Sequence, residues 1–251
     1  MRQNNFADLL FNTIYYETLP SSNSEAIRLA AAGAPEGTVV VCREQTAGRG
    51  QRDNRWESSP GENLTASLVL RPVNVATSEL FLLSKAFSLA VVKSLRRYNI
   101  EASIKWPNDI YVENRKIAGI LIEHSFYGND LIFSVIGLGL NVNQILFPPM
   151  ELIPTSVAVE TGKDYHEVGE ILSSALDNFS SLYQSAKDQI NSGYMEKLYR
   201  RNGYFPYRKK NGEMLIAEIF DVANSGELIL RDENGDLSSF IFKEISYILD
   251  E

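Results

Sequence analysis

Cysteine and histidine are almost missing from this sequence. Cys42 is the single cysteine of 251 residues, so no internal disulfide can form, and its apolar setting, VVVCRE, marks a core residue rather than a nucleophile. The two histidines, His124 and His166, have no Cys or His partners at ligand spacing, which argues against a zinc site. The N-terminal stretch MRQNNFADLLFN lacks the apolar core of a signal peptide, and the longest apolar run, Leu131 to Leu140, is too short to span a bilayer. A cytoplasmic protein with no membrane partner is therefore expected. Internal repeats and low-complexity tracts are missing too. So are a GxxxxGK[ST] motif and a GxGxxG after a strand, which removes the P-loop and the dinucleotide fingerprint. A net charge of -8 argues against a protein built to coat nucleic acid, while leaving room for a local basic pocket.

What remains is an ordinary globular composition, 44% hydrophobic and 22% charged, with room for one large domain or one plus a small one. The β-branched and aromatic run Thr13 to Thr18 predicts a strand. The following LPSSNSEAIRLAAAG predicts a helix in which Ser22 and Glu25 form a capping box and Gly33 is the stop. Ser21, Ser22 and Asn23 then sit at a helix N-terminus, where free N–H donors converge. Thr38 to Cys42 and Leu64 to Leu70 predict strands, and Thr77 to Tyr98 a helix with Leu80, Leu83, Phe87 and Val91 on its core face. Ala102 to Trp106, Asp109 to Val112, Ile117 to His124 and Leu131 to Val142 predict an antiparallel meander, broken at Pro107-Asn108 and turning at Glu113-Asn114-Arg115 and Gly128-Asn129. Two helices, Val168 to Ala186 and Ile190 to Arg201, follow. Turn signals at Asn211-Gly212, Ser225-Gly226 and Asn234-Gly235 separate short alternating runs, which predicts a small all-β unit. The expectation is an α+β fold with a mainly antiparallel sheet, divided into residues 1–203 and 204–251.

Four stretches could carry chemistry. QTAGRGQRDNRW, Gln45 to Trp56, has no helix or strand pattern and holds Arg49, Arg52 and Arg55, with Gly48 and Gly50 flanking the first. Such a loop is either solvated surface or a cover over an anion, since glycines let backbone come close and arginine forks match phosphate or carboxylate oxygens. KWPND, Lys105 to Asp109, is either an Asn-Asp turn with a core tryptophan or a site: Asp109 suits a magnesium ion, and Asn108 offers the donor and acceptor that an adenine edge requires. Lys116 opens the strand KIAGILIE, whose alternation puts Ile117 and Gly119 on one face and Lys116, Ala118 and Ile120 on the other. Gly119, and the glycines of GLGLNVN ahead of Asn141, leave room for a ligand or for close packing.

Taken together and in order, SSN at 21–23, QTAGRGQR…W at 45–56, KWPND at 105–109, RKIAGILIE at 115–123 and GLGLNVN at 137–143 resemble the biotin–protein ligase family. The resemblance runs over residues 1 to about 200, and the β unit beyond is similar to the family's C-terminal SH3-like barrel. It implies the catalytic fold of class II aminoacyl-tRNA synthetases. It also implies a reaction in two halves: biotin and ATP give biotinyl-5′-AMP and pyrophosphate, and a lysine of a biotin carboxyl carrier protein then takes the biotinyl group. Carried over residue by residue, Ser21, Ser22, Asn23 and Gln45 match the biotin-holding positions. Gly48, Arg49, Gly50, Gln51 and Arg52 match the loop that folds over biotin and the adenylate, with Arg55 beside it. Trp56 matches the aromatic against which adenine packs, Asn108 the adenine-reading amide and Asp109 a Mg²⁺-side carboxylate. Lys116 matches the lysine at the reacting carboxylate and α-phosphate, and Gly119, Ile120 and Asn141 match pocket-lining positions. Lys116, Arg49 and Asp109 are the implied catalytic set.

This chain departs from the family loop GRGRxGRxW, reading GRGQRDNRW: Gln51 replaces an arginine, Asp53 a glycine and Asn54 the next arginine. The expectation is that Gln51 holds the adenylate by neutral hydrogen bonds while Arg49 and Arg52 carry the charge. The first strand begins too early for the N-terminal helix-turn-helix of some members, so a ligase without DNA binding is expected. The resemblance leaves monomer and homodimer both open. Lipoate–protein ligase, of the same fold and chemistry, is the alternative, and a nucleic-acid-binding module using the basic loop is the alternative of another class.

Overall fold

The computed structural model describes residues 9–51, 54–72, 75–149 and 152–248. The β-branched run near the N-terminus forms β1 (Asn12–Leu19), and after α1 (Ser22–Ala31) the chain returns as β2 (Thr38–Gln45), parallel to β1, with Asn12 opposite Thr38 and Leu19 opposite Gln45. Parallel neighbours need a crossover, and α1 supplies it. β3 (Leu64–Leu70) is antiparallel to β2 and buried along its whole length, which is why it shows no polar alternation. A 3-10 turn, Thr77–Glu79, precedes α2 (Phe81–Arg96), so the predicted long helix is shorter at its start.

The meander consists of β4 (Ser103–Lys105), β5 (Asp109–Val112), β6 (Arg115–Tyr127) and β7 (Asp130–Leu140). β7 inserts between β3 and β6, giving one seven-stranded sheet in the order β1-β2-β3-β7-β6-β5-β4, antiparallel at every pair but β1–β2. The pleat sends neighbouring residues to opposite faces. Val39 joins the large core under α2, while Val40 joins Ala26, Ala30, Val69, Phe133 and Val135 in a smaller one under α1. α3 (Val157–Thr161), α4 (Val168–Tyr183) and α5 (Lys187–Glu196) follow, with Phe87 of α2 edge-on to Phe179 of α4 at 5.2 Å.

The last strands are β8 (Phe205–Lys209), β9 (Met214–Val222), β10 (Leu228–Asp232), β11 (Leu237–Phe240) and β12 (Ile245–Tyr247). They form a five-stranded antiparallel sheet in the order β11-β10-β9-β8-β12. This sheet is fastened to the rest by buried polar contacts. Trp106 Nε1 donates to Gly226 O at 2.9 Å, and Lys85 Nζ, on α2, donates to Asn191 Oδ1 at 2.8 Å, to Asn224 Oδ1 at 3.2 Å and to Val222 O. Among the described residues, no helix is long and apolar enough to cross a membrane.

Candidate active site

The β1–α1 junction, the loop after β2, the β4–β5 turn, the start of β6 and the end of β7 surround a cavity of about 430 Å³. Of the residues singled out in the sequence, Ser21, Ser22, Asn23, Gln45, Arg49, Gly50, Gln51, Arg55, Trp56, Asn108, Asp109, Lys116, Gly119 and Ile120 line it. Gly48 and Asn141 do not. Gly48 instead gives the loop its close turn, accepting a hydrogen bond from Trp56 N at 3.1 Å. Asn141 is buried and donates through Nδ2 to Thr155 O at 2.9 Å, tying the end of β7 to the segment before α3. Arg52, expected to carry charge here, lies outside the described residues.

One end of the cavity is densely hydrogen-bonded. The capping box expected at Ser22 does not form. Ser22 is the first residue of α1, Ser21 precedes the helix without a side-chain cap, and Glu25 instead pairs with Arg28 at 2.7 Å. Ser22 is turned inward by partners distant in sequence: its N–H donates to Gln45 Oε1 at 2.7 Å and its Oγ lies 2.8 Å from Ser67 Oγ. Ser67 Oγ donates to Asn23 Oδ1 at 2.6 Å, and Asn23 Nδ2 donates to Glu123 Oε2 at 3.0 Å and Leu121 O at 3.3 Å. This network fixes the amide of Asn23, which is 3% exposed.

The glycines of β7 are needed for close approach. A β-carbon at Gly137 would stand 2.1 Å from Asn23 Oδ1, and one at Gly139 would stand 2.3 Å from Trp56 Cε2. Trp56 thus lies flat against the β6–β7 ladder where Gly119 pairs with Gly139, and its Nε1 is buried with no hydrogen-bond partner among the described residues.

The other end is charged. Lys105 and Lys116 line it with Asp109, the one carboxylate among the described lining residues, while Arg49, held by Glu123, and Arg55 line the cavity from the loop beside Asn23. Lys116 Nζ is 2.7 Å from Asp109 Oδ1 and 5.7 Å from the Trp56 ring centroid. Its backbone is pinned on both sides, N–H to Ile153 O at 2.8 Å and C=O from Thr155 N at 2.9 Å. Strict alternation placed Lys116 opposite Gly119, and the structure corrects this. The β5–β6 register shifts so that Tyr111 faces Lys116 while Ile110 faces Ala118. The extra residue is Ile117, and such a bulge re-aims the side chains beside it. Lys116 Nζ is therefore within 3.4 Å of where a Gly119 β-carbon would be. Asn108 Nδ2 donates to Ile120 O at 2.7 Å, which fixes the amide at the cavity wall.

Several residues of the site have no role assigned from the sequence, although Lys105 belongs to the KWPND stretch singled out there. Glu123 bridges Asn23 and Arg49, the latter at 2.7 Å, and holds the arginine loop to the helix. Its signal was a carboxylate closing the apolar run Ile117 to Ile122. Lys105 Nζ lies 3.1 Å from Tyr111 OH and over the Tyr111 and Tyr247 rings at 4.6 and 5.4 Å, and burial lowers its pKa. Phe242, Ile245, Ser246 and Tyr247 bring the C-terminal sheet into the cavity wall, and no local sequence signal marks them. Burial raises the Cys42 thiol pKa, as befits a core residue.

Residues 17–141 match the model of the biotin/lipoate A/B protein ligase family. The chain is 31% identical over 239 residues to the biotin–[acetyl-CoA-carboxylase] ligase of Paracoccus denitrificans, covering 86% of this chain and 92% of that one. It is 37% identical over 162 residues to the bifunctional ligase/repressor BirA of Bacillus subtilis, covering 63% of this chain and 50% of that one. The chain thus spans about half the length of the two Bacillus relatives it matches. A solved structure, biotin protein ligase from Aquifex aeolicus in complex with biotin and ATP, has a TM-score of 0.76 at 24% identity and covers 94% of this chain and 97% of that one. This last likeness is one of fold.

Proposed function

Because the chain belongs to the biotin/lipoate A/B protein ligase family, we propose that it is an ATP-dependent biotin–protein ligase, forming biotinyl-5′-AMP and passing the biotinyl group to a lysine of a biotin carboxyl carrier protein. The observation that carries this reading is that one cavity joins a hydrogen-bonding group, Ser22, Asn23 and Gln45, to a charged group in which Lys105 and Lys116 stand around Asp109. Biotin's ureido group is neutral and needs donors and acceptors without full charge, which Ser22, Asn23 and Gln45 offer. The carboxylate of biotin and the α-phosphate of ATP are both anionic, so bringing them together is opposed by like charge. Lys116 and Arg49 offset that repulsion and stabilise the charge that builds up in the transition state. A charge-assisted contact of this kind contributes about 1.5–3 kcal/mol. Trp56 gives adenine an apolar wall and Asn108 an amide edge.

No cluster of three or more metal-ligating side chains occurs among the described residues, and Asp109 is the one carboxylate in the lining. One carboxylate fits a magnesium ion that arrives with the polyphosphate rather than a resident ion. Asp109 is the residue we assign to it. When bound there, Mg²⁺ would supply charge neutralisation on the phosphates.

The test is biotin-dependent exchange of pyrophosphate into ATP, followed by transfer of labelled biotin to a purified carrier domain. Both should occur, and lipoate should not replace biotin. Exchange that depends on lipoate instead would move the chain to the other branch of the family.

A further inference from the structure

A second cavity, of about 290 Å³, adjoins the first and shares Gln51, Pro107, Asn108, Ile120 and Leu121 with it. Its own walls are Leu80, Phe81 and Ser84 from the start of α2, Ile122 and His124 from β6, and Ser225 from the turn after β9. Among the described residues that line it, none is Asp, Glu, Lys or Arg. The first cavity, in contrast, presents four cationic side chains. His124 adds no charge: its Nδ1 lies 2.8 Å from Ser134 Oγ, and burial lowers its pKa. Two adjacent chambers, one lined by charged side chains and one without them, therefore share Asn108, the residue next to the Asp109–Lys116 pair.

We infer that the second cavity is the channel by which the acceptor lysine's side chain reaches the acyl-adenylate, an inference that rests on the ligase reading above. The two reactants differ in charge as the chambers do. The adenylate is anionic and belongs among Arg49, Arg55, Lys105 and Lys116. The acceptor must react as a neutral amine, although its pKa in water is about 10.4. An uncharged, largely apolar channel disfavours the ammonium form and so favours the nucleophile. Leu80, Phe81 and Ile122 match a stem of four methylenes. Gln51 Oε1, at the shared wall, is buried with no hydrogen-bond partner among the described residues and can accept an amine N–H. In the step itself the amine lone pair forms a C–N bond to the acyl carbon and the C–O bond to phosphate breaks. AMP leaves with that bonding pair, and the surplus proton on nitrogen is released to water.

Ile122 and Ser225 line the second cavity and not the first, so Ile122→Trp and Ser225→Trp in the full chain fill it selectively. Transfer to a purified carrier domain should fall by about tenfold or more in each variant, while biotin-dependent ATP–pyrophosphate exchange stays within about twofold of the wild type. Transfer at the wild-type rate in both variants would overturn the inference. Parallel loss of exchange in both would overturn it too, because the cavity would then serve nucleotide binding. Failure of the ligase reading looks different, since the unsubstituted chain would then show no exchange at all.

Discussion

Trp56 rests on Gly139 so closely that a β-carbon at 139 would come within 2.3 Å of indole Cε2. Two residues earlier on the same strand, Gly137 leaves the space that Asn23 Oδ1 occupies. One strand thus sets the depth of both ends of the cavity, and the two glycines can be tested separately. Gly137→Ala should displace Asn23 and weaken biotin binding by about tenfold or more, with ATP binding less affected. Gly139→Ala should displace Trp56 and do the reverse, weakening ATP binding more than biotin binding. Overpacking of this sort costs about 1–3 kcal/mol, which is the size of the expected affinity changes. Calorimetric titration of each ligand against each variant checks the pattern, and equal losses of both ligands would show that the cavity ends are not independent.

Lys116 and Asp109 form the ion pair nearest the proposed reacting centre, 2.7 Å apart and each about one-fifth exposed. Lys116→Ala removes a charge that the anionic transition state needs. The rate of biotinyl-adenylate formation should fall by about 10- to 100-fold, in line with one charge-assisted contact of about 1.5–3 kcal/mol. Single-turnover formation of the adenylate is the measurement. An unchanged rate would remove Lys116 from the first half-reaction.

Gln51 stands where the resemblance implies an arginine, and its buried Oε1 has no partner among the described residues. A neutral amide holds an anion less strongly than a guanidinium does. Gln51→Arg should slow escape of free biotinyl-adenylate and tighten its hold. Leak is followed by biotinylation of bystander lysines, and affinity by titration. If neither changes, position 51 does not control retention.

What could be read from sequence was what local chemistry decides. β3 and β5 begin and end where their composition puts them, and the Asn-Gly and Ser-Gly turns of the C-terminal sheet lie where the dipeptides do. The clustering of SSN, the arginine loop, KWPND and KIAGILIE around one cavity followed from the resemblance rather than from any single pattern. What was not legible depends on partners far along the chain. Ser22 has the sequence of a cap, yet Ser67 and Gln45 compete for its hydrogen bonds. Lys116 alternates to the wrong face until a bulge at Ile117, invisible in composition, turns it. α3 has five residues, too few for a helical period, although Ser156 caps it with a 3.2 Å bond from Val159 N. β8 carries Pro206, which argues against a strand. Tyr247 reaches the cavity only because the C-terminal sheet folds back onto KWPND.

Lys85 gives a prediction with a defined pH dependence. Its ammonium is 1% exposed, packs 5.6 Å from the Tyr194 ring centroid and is held by three oxygen acceptors on α5, at the end of β9 and in the turn after it. Desolvation pulls its pKa from 10.5 down to about 8, partly opposed by the charge of Asp221. Below about pH 8 the group is charged in both folded and unfolded chains, and the folded chain bears the full cost of burying it. Between about 8 and 10.5 the folded chain releases the proton while the unfolded chain keeps it. The unfolded state then binds more protons, so this group's contribution to stability rises with pH, by about 2 kcal/mol between about pH 7 and 9.5. Buried tyrosines act oppositely at alkaline pH: Tyr111, Tyr194, Tyr207 and Tyr247 all have raised pKa values, so their ionisation on unfolding lowers stability. Comparison with Lys85→Met cancels them, because the variant keeps every tyrosine and loses only the lysine. Urea midpoints measured from about pH 7 to 9.5 should show wild-type stability gaining on the variant as pH rises. A difference independent of pH would mean that Lys85 stays charged in the fold, its three acceptors outweighing the burial.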